Sequence, residues 1–131
     1  QIRPNARKLE FASAGHEPCW ILPEVGDPVP LESTGLILGI DAGAQWEVRE
    51  HALSDGDWLA LLTDGVTETL NETGELFGRE RLMRLLLACR RGPMNEAAER
   101  IRSELQAFRG KRKPTDDVTV LLASLHAPTQ A

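Results

Sequence analysis

The chain has 131 residues, the length of one domain, and its 41% apolar and 27% charged residues exclude a collagen-like, low-complexity or disordered chain. Its longest apolar runs, Trp58–Leu62 and Leu85–Cys89, are five residues each, far below the ~20 that a membrane helix needs. The net charge of −5 divides into −10 over residues 1–78, +7 over 79–113 and −2 over 114–131. The acidic part argues against nucleic acid as the main ligand, and the basic part reads either as a docking surface or as a solvated helical face.

The N-terminus, from Gln1 to Lys8, has neither an apolar signal core nor an initiator Met, which suggests a piece cut from something longer. Cys19 and Cys89 do not make a disulfide framework, so a reduced, cytoplasmic setting is expected. Each reads as a small buried apolar residue, since neither has a nearby His or helix N-terminus to lower its pKa.

In chain order, Lys8–Ala12 alternates as a strand, Ala14–Pro18 is a turn, and Cys19–Leu22 is the return strand of a hairpin. Pro23–Pro30 is loop. Gly35–Ile40 is apolar but broken by Gly, which suggests close backbone packing. Trp46–Leu53 reads as a half-buried strand. Ser54–Asp57 is a turn that launches Trp58–Thr63, a strand expected to be buried on both faces. Trp20, Trp46 and Trp58 are spread over these strands as packing residues. After the turn Asn71–Gly74 the period changes: Leu82, Leu85, Leu86 and Cys89 mark a helix from Arg79, ended by Gly92-Pro93. Asn95 is placed to cap a second helix, with Ala97, Ala98, Ile101, Leu105 and Phe108 as its stripe and Gly110 as its stop. Lys111–Thr115 is a basic loop and Val118–Leu125 a last strand. Strands, then two consecutive helices, then a strand give an α+β fold. The domain is expected over 1–126, with a disordered tail at 127–131.

The chemistry gathers at two acidic features. Asp64-Gly65 follows the buried strand directly, and Asp116-Asp117 precedes the last strand 52 residues later. If the two strands are antiparallel neighbours, these carboxylates converge at one sheet edge. Such oxygen clusters suit Mg²⁺ or Mn²⁺. Gly65 lets the chain turn and leaves room for metal-bound water. Asp at a strand end is also ordinary turn chemistry, so the residues alone leave metal and turn readings about even. His16 reads as a turn residue, Glu68 as a surface helix-start residue, and His51 and His126 carry no assigned role.

Six segments then occur in a telling order: Ser13–Pro18, Gly35–Ile40, Gly56-Asp57, Leu62–Glu68, Asn71 with Gly74–Gly78, and Asp116–Thr119. Together they resemble the C-terminal part of the metal-dependent type 2C protein phosphatases, in the bacterial SpoIIE-like or RsbU-like branch. The resemblance implies a β-sandwich flanked by helices, of which this chain is a part with the N-terminal portion missing. It implies two Mg²⁺ or Mn²⁺ ions and hydrolysis of phosphoserine or phosphothreonine on a regulatory protein, often an anti-sigma-factor antagonist. Asp64 and Asp116 match family metal ligands and so serve catalysis, with Gly65 beside them and Asp117 the lesser ligand. A metal-bridging hydroxide would attack phosphorus in line.

The family's first metal motif, a Gly-Asp with a further Asp, has no counterpart before Glu10. The chain alone is therefore expected to bind metal weakly or not at all, to be inactive, and to self-pair into a homodimer through bare sheet edges. No nucleic acid or membrane partner is expected. A non-catalytic regulatory module that binds a protein partner is the alternative, with an unrelated metal-binding α+β domain behind it.

Overall fold

A computed structural model of the chain describes residues 1–3 and 7–124; the expected tail at 127–131, with His126, lies outside them. The strands form two antiparallel sheets, and with three helices the architecture is α+β. The chain divides into one unit of Gln1–Leu59 with Ser124 and a second of Ala60–Ala123.

In the first unit, β2 (Lys8–Phe11) lies between β1 (Ile2–Arg3) and β5 (Arg49–Ala52), with Leu9 opposite both Ile2 and His51. The pleat buries Leu9 and turns Lys8 and Glu10 to solvent or partial exposure. There they pair with Glu50 at 2.6 Å and Arg3 at 3.0 Å. β3 (Cys19–Leu22) pairs with β4 (Val29–Leu31), Trp20 facing Pro30, so it is not the return strand of β2 that its position suggests. The loop 23–30 correspondingly gives up its last residues to a strand. Pro30 is tolerated there because β4 is an edge strand, where a missing N–H breaks no ladder. Leu9, Ile21, Leu31 and Leu53 form the core of this unit, with Phe11, Cys19, Val29 and Leu59 against them.

Two expectations fail here. Gly35–Ile40 forms turns, and Leu36, Ile37, Leu38 and Ile40 are all exposed; of its two glycines, Gly35 is closely packed, a Cβ there lying 2.7 Å from the Trp46 ring, and Gly39 faces open space. The strand expected over Trp46–Leu53 shrinks to Arg49–Ala52, because β2 offers a ladder of only four residues. Val48 is left exposed.

β6 (Trp58–Leu62) begins in the first unit and continues into the second, where β7 lies beside it. Its burial alternates, with Trp58, Ala60 and Leu62 buried and Leu59 and Leu61 only partly so, rather than being complete on both faces. In the second unit, α1 (Asp64–Thr67) is one turn. α2 (Gly78–Cys89) buries Leu82, Leu85, Leu86 and Cys89, and α3 (Met94–Arg109) buries Ala97, Ile101 and Leu105. Ala98 is exposed. Asn95 does not cap α3: the helix starts behind the extended Pro93, whose carbonyl accepts from Ala97 N at 3.0 Å. Gly110, with φ of +62°, ends it as expected. Phe77 and Phe108 meet edge to face at 5.3 Å, with the Arg81 guanidinium 5.0 Å from the Phe108 ring. β7 (Val120–Ser124) starts two residues later than the hydrophobic pattern suggests. Among the described residues no helix is long and apolar enough to cross a membrane.

Candidate functional site

The site is built where β6 ends and β7 begins. Leaving β6, Thr63 stays extended, with φ −85° and ψ 158°. Its N–H donates to Thr119 O at 3.2 Å, its hydroxyl donates to Asp117 O at 3.0 Å, and the same hydroxyl oxygen accepts from Thr119 N at 3.0 Å. One threonine thus ties the end of one strand to the approach of the other. The sequence shows Thr63 only as the last residue of a strand, because its partners lie 54 and 56 positions away.

Immediately afterwards the backbone turns into α1. Glu68 N and Thr67 Oγ1 donate to Asp64 O at 2.8 and 3.1 Å, and Thr69 Oγ1 donates to Gly65 O at 2.7 Å. These bonds fix the main chain of Asp64 while its side chain is exposed. Gly65 is buried beneath it. A Cβ there would run into Asp117 O and stand 3.1 Å from Asp117 C. The requirement for Gly is therefore one of space. Asp116 Oδ1 accepts from Asp117 N at 2.7 Å, and both aspartates are exposed. Gly65 and Asp116 line one cleft. The fold thus brings Asp64-Gly65 against Asp116-Asp117 through backbone contact.

Asp64, Asp116 and Asp117 present exposed carboxylates, the donor type that a hard cation takes. Mg²⁺ commonly takes one or two carboxylates and keeps several waters. No group of three or more His, Cys, Asp or Glu placed to hold a metal occurs among the described residues. The other candidates sit apart in role. His16 Nδ1 lies 2.8 Å from Glu17 O in its turn, Glu68 is the exposed C-cap of α1, and His51 is half-buried on β5. Burial pushes the Cys19 thiol above its ordinary range, and Cys89 is buried, so neither is an activated nucleophile. Asp57, which sequence reasoning passed over inside a turn, is a buried carboxylate that accepts from Ser54 N at 2.7 Å and Glu24 N at 3.3 Å.

The basic loop after α3 is also held at this site, which its charge pattern alone did not reveal. Arg109, Arg112 and Lys113 line the cleft with Gly65 and Asp116. The loop is tethered to the Asn71–Gly74 turn: Glu72 Oε1 accepts from Lys111 N at 2.9 Å, and Arg112 Nη1 donates to Asn71 O at 3.3 Å. The turn is itself braced, with Asn71 Oδ1 accepting from Thr73 N and Glu75 N at 3.0 and 2.8 Å. Arg81 donates to Glu75, and this hydrogen bond holds the Glu75 carboxyl below its usual range.

Comparison with known proteins places this arrangement. The family model for Stage II sporulation protein E (SpoIIE) matches residues 1–126. Protein IcfG of Synechocystis sp. is 34% identical over 113 residues, covering 86% of this chain and 18% of that protein. Phosphoserine phosphatase RsbU of Bacillus subtilis is 39% identical over 73 residues, covering 55% of this chain and 22% of that protein. The SiaA-PP2C domain of Pseudomonas aeruginosa superposes with a TM-score of 0.80 at 25% identity, over 92% of this chain and 47% of that one. The chain spans about a fifth of the length of the first two and about half of the third. By the family match over nearly its whole length and by its two-sheet α+β fold, this chain belongs to the SpoIIE family of PP2C-type serine/threonine phosphatases.

Proposed function

We propose that the chain is part of a metal-dependent phosphatase that hydrolyses phosphoserine or phosphothreonine on a regulatory protein, such as an anti-sigma-factor antagonist, in bacterial cytoplasmic signalling. Asp64 and Asp116 are the carboxylates that would hold Mg²⁺ or Mn²⁺, and Asp117 contributes less. A bound divalent ion supplies charge neutralisation at the phosphoryl oxygens and a water of lowered pKa. The residues do the positioning: Thr63 ties the two strand ends together, and Gly65 allows their backbones to touch. The observation that carries the reading is this Thr63–Gly65 junction with Asp117–Thr119, in a family that is metal-dependent. With a partial ligand set, the 131-residue chain alone binds metal weakly and does not turn over substrate.

In the full-length protein, Asp64→Asn or Asp116→Asn lowers phosphoserine-peptide turnover on the order of 100-fold, the scale of losing one electrostatic contact to developing charge. Mn²⁺ affinity by calorimetry falls in parallel, and circular dichroism stays unchanged. If Asp64→Asn retains near-normal turnover, or tight Mn²⁺ binding survives Asp64→Ala, the metal assignment fails. Absence of turnover in the unmutated full-length protein supports a non-catalytic, protein-binding module instead.

A further inference from the structure

We propose that Arg112 and Lys113, backed by Arg109, dock acidic side chains flanking the phosphorylated residue of the protein substrate. The proposal rests on the phosphatase reading and adds the substrate's charge to it.

Three cations line the same cleft as Asp116 and Gly65. None of them has an ion pair among the described residues, whereas Arg3, Lys8, Arg49, Arg81, Arg84 and Arg102 do. Arg112 and Lys113 are exposed, so a partner can reach them. Arg109 is only partly exposed and backs the loop from the end of α3. The loop is also held in place. Glu72 grips the Lys111 amide and Arg112 reaches Asn71 O, which reduces the entropy lost when a partner binds. An acidic peptide is the complementary occupant, because carboxylates form charge-assisted bonds with cations that have no ion-pair partner.

The test uses the full-length protein and two phosphoserine peptides, one flanked by Asp and Glu and the other by Asn and Gln. Arg112→Gln with Lys113→Gln lowers the ratio of kcat/KM for the acidic over the neutral peptide about fivefold, the size two exposed ion pairs supply together. Arg91→Gln with Arg100→Gln removes the same charge elsewhere and keeps that ratio. An unchanged ratio in the first variant, or an equal fall in the second, overturns the proposal. If neither peptide is hydrolysed by the unmutated protein, the phosphatase reading has failed. Docking is then judged separately by anisotropy of the labelled acidic peptide: a Kd about fivefold weaker in the loop variant upholds it, and equal or absent binding overturns it. A shift of duplex DNA at physiological salt that the loop variant abolishes would make the loop a nucleic-acid surface and would also overturn it.

Discussion

Adding one carbon to Gly65 would place it against Asp117 O, a backbone atom that cannot rotate away as a side chain can. Gly65→Ala is therefore expected to force the two strand ends apart and to destabilise the chain by about 2 kcal/mol, within the range for overpacking. Urea denaturation checks this, and an unchanged midpoint would show that the junction yields easily. Thr63 belongs to the same contact, since its hydroxyl both donates and accepts across the junction. Asp64 and Asp116 were visible in the sequence as acidic residues at strand ends. The Thr63 stitch was not, because a threonine after an apolar strand has no local mark that distinguishes it.

The helices show how well a period carries information. In α2 the predicted residues Leu82, Leu85, Leu86 and Cys89 are all buried. In α3 the stripe of Ala97, Ile101 and Leu105 is buried, while Ala98, one position off it, is exposed. Ile101 is fully buried, so Ile101→Ala is expected to cost about 3 kcal/mol through lost burial and a residual cavity. Ala98→Ser should stay within about 0.5 kcal/mol. Chemical denaturation of the two variants checks the contrast, and similar midpoints would contradict this register. The start of α3 shows the limit of composition: Asn95 is a good cap by residue type, but it lies inside the first turn because Pro93 already breaks the chain two residues earlier.

For the molecule as a whole, the expected self-pairing has a different physical source from the one the sequence suggests. In the second unit β6 is paired with β7, so it is not the bare edge. Pro30 blunts β4, whereas β7 carries the exposed Leu121, and Leu36, Ile37, Leu38 and Ile40 are exposed together in one segment. Exposed apolar clusters of this kind favour association. The chain is expected to self-associate at tens of micromolar in sedimentation, and Leu38→Ser with Ile40→Ser to weaken it. A strictly monomeric species at that concentration would count against it.

Sequence alone determined what depends on neighbouring residues: the helical stripes, the turns at Ser54–Asp57 and Asn71–Gly74, and the ordered motifs that placed the family. It also marked Asp64 just after β6 and Asp116 on the approach to β7. Only the tertiary structure decided that β3 pairs with β4, that Gly35–Ile40 stays exposed, and that Arg112 and Lys113 share a cleft with Asp116. A period reports which face of one element is apolar. It does not report which other element covers that face, because pairing is a competition among strands and loops far apart in the chain, settled by backbone hydrogen bonds and close contacts that leave no local pattern.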